Sequence, residues 1–468
     1  MIVDLKPYPE YKESEQAWVG RVPKHWPVLP NRALFAEVKE REHPDEEMLS
    51  VTITKGIIKQ KSLLTDTSKK DSSKLDKSAY KLVCPRDVAY NKMRAWQGAI
   101  GSSDFRGIIS PAYVVVRLRR AENLSRYFHH LYRTPQFAKE AERWSYGITS
   151  DMWSLRPEHF RMIYSPEPPP SEQAAIVRFL DWANGRLERA IRAKRKVIAL
   201  LDEQKQTITN RAVTRGLDPS VPLKPSGIPW LGDIPNHWEV QRFKFLAKIN
   251  SGQVDPRRPE FRDLILIAPN HIRSGDGHLL AQETANEQGA DSGKYLVRRG
   301  QVVYSKIRPN LRKATIAPCD CLCSADMYPI TANPSKFSAE YMLLLLLSQV
   351  FTKFAVDASM RVAMPKVNRE ALANCPMWFP KVLEQSRILD FVAHESRPID
   401  SAISRLEREI ELLREYRTRL VADVVTGKLD VREAAARVPD EAMPDVAAQD
   451  DDADLVEEVE PAEAEVAA

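Results

Sequence analysis

The sequence predicts a mixed α/β (α+β) protein of two tandem globular domains, separated by two long helices that form an antiparallel coiled coil with pseudo-twofold symmetry. Three observations predict it: the length, an internal duplication, and two long heptad-patterned segments. At 468 residues the chain exceeds one ordinary core, so two domains of roughly 150 to 200 residues plus connections are expected. The segment Trp18-Val19-Gly20-Arg21-Val22-Pro23-Lys24-His25-Trp26-Pro27-Val28 recurs as Trp230-Leu231-Gly232-Asp233-Ile234-Pro235-Asn236-His237-Trp238-Glu239-Val240, at an offset of 212. Glu172-Gln173 recurs as Glu384-Gln385 at the same offset, and the apolar pattern then matches as far as Leu217-Asp218 and Leu429-Asp430. Between these anchors the match is looser, with Tyr90-Asn91-Lys92-Met93-Arg94 facing Tyr304-Ser305-Lys306-Ile307-Arg308 at an offset of 214. A period this long is a duplicated domain and not a solenoid.

Each half closes on a helix. After Pro166, Pro168, Pro169 and Pro170, the stretch from Ser171 to Arg211 has no proline and only Gly185. Its apolar positions Leu187, Ile191, Ile198, Leu201, Ile208 and Ala212 follow an alternating 4,3 spacing, with Lys194 and Lys205 on the two remaining steps. The second copy shows Ile399, Ile403, Leu406, Ile410, Leu413, Leu420 and Val424, broken only by Arg417. Such seams suit a coiled coil or subunit docking, the alternative being that each helix packs on its own domain. Ser171 to Val213 carries nine Lys/Arg and five Asp/Glu, against seven and nine from Glu384 to Val425, so flanking charge favours pairing of the two. Leu187 to Ala212 would measure about 39 Å at 1.5 Å per residue, close to one turn of B-DNA at roughly 34 to 36 Å.

The intervening modules read as short strands and helices. Strands are expected at Met48–Thr54, Val88–Met93 and Ala112–Leu118, then at Leu264–Ala268 and Val302–Ile307. Helices are expected at Leu124–Tyr132 and Ser338–Phe354, the run Leu343 to Leu347 being a buried helix. Domain bounds follow: 1–168, a helix over 169–218, 219–381, a helix over 382–430, and an acidic tail over 431–468.

Charge points to a partner. From Val438 to Ala468 there are twelve acidic residues and no Lys or Arg, so the chain's formal +5 becomes +17 without this tail. That balance suits a polyanion such as double-stranded DNA. The tail reads as disordered and solubilising, with mimicry of DNA charge as the alternative. Apolar content of 43% and charged content of 28% fit a globular protein without a membrane span. Met1 to Glu10 lacks a signal-like apolar stretch, so a cytoplasmic location is expected. Cys319, Cys321 and Cys323 fit one strand face better than a zinc site, whose paired ligands are spaced Cys-x2-4-Cys. No catalytic residue, metal or cofactor is assigned. There is no Walker A loop (Gly427-Lys428 runs into Leu429) and no Asp/Asn-Pro-Pro-aromatic tetrad, and Pro44-Asp45-Glu46 lacks the rest of a nuclease motif. His25 and His237 have no acid or nucleophile partner close in sequence, so the Trp-x-Gly-x-x-Pro-x-His-Trp element reads as a docking knot.

Candidate DNA contacts are basic and aromatic. On a strand, residues two apart share a face, so Tyr90, Lys92 and Arg94 project together, as do Tyr304, Lys306 and Arg308. Such a trio could pack on sugar and meet phosphate or a guanine edge, or it could form structural salt bridges. Loop candidates are Lys55, Lys59, Lys61, Trp96 and Arg106, then Arg257, Arg258, Arg273, Arg312, Lys313 and Arg361.

These features together resemble the specificity subunits of type I restriction-modification enzymes. The resemblance rests on the Trp-x-Gly-x-[Ile/Val]-Pro-x-His-Trp motif, the proline run into Glu-Gln, and Leu200-Leu201-Asp202-Glu203 with Leu412-Leu413-Arg414-Glu415. It rests also on Tyr90 to Gly101 followed by Ser110-Pro111-Ala112-Tyr113, and covers residues 10 to 430. It implies two target-recognition domains that read a bipartite DNA target, helices that set the spacing, two modification (methyltransferase) subunits docked on those helices, and ATP-driven restriction subunits. Pro309-Asn310-Leu311-Arg312-Lys313 replaces the first module's Trp-Gln-Gly-Ala-Ile-Gly, so the half-sites should differ. A standalone DNA-binding regulator and a structural coiled-coil adaptor are the other readings.

Overall fold

The computed structural model describes residues 5–63, 77–147, 153–359 and 366–439. Two compact units divide the chain: residues 1–193 with 409–468, and residues 194–408. The tail expected over 431–468 begins as folded structure: Arg432–Ala436 is a helix, and Val431, Ala434 and Ala435 are buried in the first unit's core, while Asp440 onward lies outside the described residues.

In the first unit, strands Phe35–Val38, Tyr113–Leu118, Val88–Asn91 and Ile100–Ser102 form one antiparallel sheet in that spatial order, with Val115 opposite Val38 and Tyr113 opposite Asn91. The sheet is covered on both faces. Val88, Tyr90, Val114 and Val116 face the larger core with Trp26, Phe128 and Phe160, while Ala89 and Val115 face a second core with Leu49, Ile57 and Ile109. Two-sided burial explains why these strands read as continuous apolar runs and not as alternation. Helix Ser125–Tyr132 and helix Pro135–Arg143 pack on the larger core; Thr134 caps the latter by accepting from the Phe137 amide, with Pro135 at the first turn.

The second unit repeats this sheet. Strands Ala247–Ile249, Met327–Ala332, Val302–Ser305 and Ala314–Ile316 occur in the same order, all antiparallel, with Tyr304 opposite Tyr328 and Ala314. The surroundings differ. The first unit adds a hairpin (Leu49–Thr52 with Gly56–Lys59) and a pair (Lys81–Val83 with Gly107–Ile109). The second adds a mixed sheet of Gln253–Val254, Lys294–Val297, Cys321–Cys323 and Leu266–Ile267. Cys321 and Cys323 point into its core, and burial pushes the Cys321 thiol up to about 12; Cys319 precedes the strand.

The helix expected over Ser338–Phe354 is two helices, Ala339–Leu347 and Gln349–Ser359, bent by 66°. The break falls at Ser348, whose hydroxyl accepts from the Phe351 amide and restarts the turn. Both helices bury apolar residues in the second unit's core. Among the described residues no single helix is long and apolar enough to cross a membrane.

The long helices span Pro170–Arg215 and Val382–Val425, the latter with Pro398 inside. In the first unit Ile176, Leu180 and Ala183 share a core with Leu420, Val424 and Val425, and Glu188 Oε1 accepts from Arg417 at 3.2 Å. In the second unit Ala212 and Val213 share a core with Ile388 and Val392, and Lys205 meets Asp400 at 2.6 Å. Of the seam residues, Leu187, Ile191, Ile399, Ile410 and Leu420 are buried, and Ile198, Leu201, Ile208, Ile403, Leu406 and Leu413 are half-buried.

Candidate nucleic-acid interface

A repeated clamp sets where each module begins. His25 Nε2 lies 2.7 Å from Glu172 Oε1, and Trp26 Nε1 donates to Glu172 Oε2 at 2.9 Å. In the second unit His237 Nε2 lies 2.7 Å from Glu384 Oε2, and Trp238 Nε1 donates to Glu384 Oε1 at 3.0 Å. The histidines therefore do have an acid partner, 147 residues away in the chain. The adjacent glutamines repeat too: Gln173 accepts from the Leu124 amide and donates to the Pro168 carbonyl, while Gln385 accepts from Ser338 and donates to Pro380. Each glutamate occupies the first turn of its helix, where carboxylates are favoured. In the first unit Tyr8 also donates to Glu172, with Arg432 at 3.6 Å; burial first, then the Glu172 charge, pushes the Tyr8 hydroxyl far upward.

At one end of the first unit's sheet, where Phe35–Val38 and Val88–Asn91 finish and Tyr113–Leu118 starts, cations gather. Lys81 is buried and donates to the Tyr113 carbonyl at 2.5 Å. Burial lowers its pKa, Glu37 opposes, and Lys92, Arg41 and Lys39 push it down further. Arg94 acts on Tyr113 from the same end, although burial prevails and raises that hydroxyl. Lys92 thus acts on Lys81 and Arg94 on Tyr113, whose carbonyl Lys81 holds, and the charges of Lys39 and Arg41 reach the same lysine; sequence reasoning missed Lys39, Arg41 and Lys81. Lys39-Glu40-Arg41 directly after a strand was the available signal. Trp96, in the turn Ala95–Gln97, donates to the Met93 carbonyl and meets Trp153 edge-to-face at 5.4 Å.

The expected tyrosine-centred trios do not form. Tyr90 is wholly buried and Tyr304 is 2% exposed, both facing core. The strands end at Asn91 and Ser305, so the alternation that would have aligned Lys92, Arg94, Lys306 and Arg308 with them stops. Several loop cations are held by local carboxylates: Lys59 and Lys61 by Glu47, Arg106 by Glu46, Arg257 by Asp255, Arg258 by Glu260 and Arg273 by Asp276. The Arg257 guanidinium holds the Asp255 carboxyl down at about 2. Lys306 donates to the Ala325 carbonyl and Lys313 to that of Pro269. Arg312 is half-buried beside Gly275 with its pKa lowered by burial, and the carboxylate acting on it is Asp202 of the first long helix. Lys55 and Arg308 are exposed, with no ion pair among the described residues. Arg361 lies outside the described residues.

Both units thus define a class: a tandem pair of related α/β modules, each clamped at the start of a long helix. No family model matches the chain. By sequence the chain is similar to type I restriction enzyme specificity subunits. It is 30% identical over 277 residues to the EcoDI specificity subunit of Escherichia coli, covering 56% of this chain and 61% of that one. It is 23% identical over 283 residues to the MjaVIII specificity subunit of Methanocaldococcus jannaschii, covering 58% and 64% respectively. The chain spans a little under two thirds of the length of these curated relatives. It shares its fold with a chain from a solved structure on the assembly and conformational transition of a type I R-M system (TM-score 0.60, 14% identity, 87% of this chain and 99% of that one).

Proposed function

We propose that this chain is the DNA-specificity subunit of a type I restriction-modification complex, a non-catalytic reader of a two-part target. Residues 1–168 and 219–381 serve as the two target-recognition domains, one half-site each, with 169–218 and 382–430 as the helices that set their spacing. Double-stranded DNA, two modification subunits and restriction subunits are the partners, and the chemistry belongs to those subunits.

The observation that carries this reading is the repetition itself. The same sheet order and the same His-Trp-Glu clamp recur in both units, while the segments 39–63 and 250–293 fold differently. A conserved frame with exchanged loops is how one scaffold presents two recognition surfaces. Within each unit the helix segments pair by opposite charge, Glu188 with Arg417 and Lys205 with Asp400, which supports an antiparallel coiled coil. The repeated Leu-Leu pair divides its labour. Leu201 and Leu413 are half-buried on the seam, whereas Leu200 and Leu412 are 56% and 47% exposed, which suits docking of the modification subunits.

The test is an exchange. Replacing residues 225–380 with the corresponding module of a relative, then mapping methylated adenines genome-wide, should change one half of the recognised sequence and leave the other intact. Loss of both halves, or a methylation map indifferent to deletion of the gene, would sink the proposal.

A further inference from the structure

One half-buried arginine of the first unit bonds to two separate turns at once. Arg133 follows helix Ser125–Tyr132 as its C-cap. Its Nη1 donates to the carbonyls of Thr52 at 3.3 Å, Gly98 at 3.3 Å and Ile100 at 3.1 Å, and its Nη2 donates to Ile53 at 2.8 Å and to Thr54. These five carbonyls belong to two turns distant in sequence. One joins the hairpin strands Leu49–Thr52 and Gly56–Lys59 and has Lys55 at its tip; the other follows Ala95–Gln97, which carries Trp96. Only a planar guanidinium presents donors in a fork wide enough for both.

Neighbouring groups tighten the same joint. The His129 ring fills the space between Gly56 and Gly101, where an added Cβ would come within 2.9 Å of it on either residue. His129 Nδ1 accepts from the Ser102 amide, consistent with a neutral ring whose pKa is driven down by burial and by Arg133. Thr52 Oγ1 accepts from the Lys55 amide and donates to the Gly56 carbonyl. The backbone at this tip is thus fixed from within, while the Lys55 side chain is exposed and makes no ion pair among the described residues. Thr52, Gly98 and Ile100 are buried residues and Thr54 is exposed, so the guanidinium satisfies buried acceptors and at the same time ties the two turns together. A fixed separation between two turns is what a preorganised recognition site requires.

We propose that Arg133 is a positioning residue for sequence reading by the first module: it fixes the Lys55 turn against the Trp96 turn, so that both meet one DNA half-site at constant spacing. This rests on the function proposed above. The experiment uses the complex purified through this chain from the organism that makes it, with targets selected from a random duplex library at several salt concentrations. Arg133→Lys should lower discrimination at positions of one half-site by about tenfold, leaving the other half-site and the salt slope unchanged. Lys55→Ala should instead reduce the salt slope by about one. Gly56→Ala, whose Cβ would lie 2.9 Å from the His129 ring and 3.5 Å from Arg133 Nη1 and so displaces the same turn with the arginine still present, should relax the same half-site and carries the test if Arg133→Lys does not fold. Wild-type discrimination at every position in the folded variants, or equal loss in both half-sites, would overturn the role of Arg133. A wild-type complex that selects no two-part site would overturn the function itself.

Discussion

The two units share a frame and differ in what they hang on it. In the first, a hairpin with a clamped tip sits beside a sheet end crowded by Lys39, Arg41, Lys81, Lys92 and Arg94. In the second, a mixed sheet replaces the hairpin, and Arg257, Arg258 and Arg273 are engaged by carboxylates within three residues of them. Equal ancestry therefore does not mean equal surfaces. The clamp and sheet that close each core are kept, because changing them would leave buried donors unpaired. Surface turns are cheap to change.

The clamp gives the largest expected contrast. Glu172 is nearly buried and serves His25, Trp26 and Tyr8 with Arg432 nearby, whereas Glu384 is 27% exposed and serves His237 and Trp238. Glu172→Ala should cost about 3–5 kcal/mol and Glu384→Ala about 1–3 kcal/mol, read from urea unfolding. Equal costs would mean that the extra partners of the first clamp contribute nothing.

The helix ends give the next contrast. Gly427 (φ +77°) packs so tightly that a Cβ would lie 2.3 Å from Pro23, while at Gly216 (φ +71°) the nearest atom would be 3.5 Å away. Gly427→Ala should cost about 2–5 kcal/mol through clash and strain together, and Gly216→Ala about 1–2 kcal/mol from backbone strain alone. Thermal melts of the two variants would rank them.

Smaller effects separate cations that differ only in engagement. Arg308→Ala should reduce the salt slope of DNA binding by about one. Lys306→Ala should leave the slope unchanged, since its amine is spent on the Ala325 carbonyl and lies over the Tyr328 ring. A slope change for Lys306 would place it on the phosphate path after all.

The smallest is a pH effect confined to the first unit. Burial would raise the Asp181 carboxyl, but His130 and Arg126 bonded to it hold it below the ordinary 3.8. A depressed carboxylate stabilises the fold at pH above its unfolded value and loses that contribution as pH falls through the folded one. Wild type should therefore lose its advantage over Asp181→Asn as the pH is lowered below about 4, measured by chemical unfolding across that range.

The sequence alone determined the duplication, both long helices and the repeated His-Trp and Glu-Gln motifs, though not that they meet in a clamp. Heptad spacing, proline runs and a 212-residue repeat are patterns along the chain that need no knowledge of contacts. It also indicated the strands near Leu49, Val88, Tyr113, Leu266 and Val302, because burial writes apolar runs, but not Phe35–Val38 or Met327–Ala332, which complete the two sheets. Tertiary structure alone decided which cations are available. Arg106 is paired across 60 residues with Glu46, Glu172 reaches His25 across 147, and Tyr90 faces a core assembled from residues as distant as Leu420. An ion pair or a buried face is a matter of distance in space, and distance in space between such residues exists only once the chain has folded.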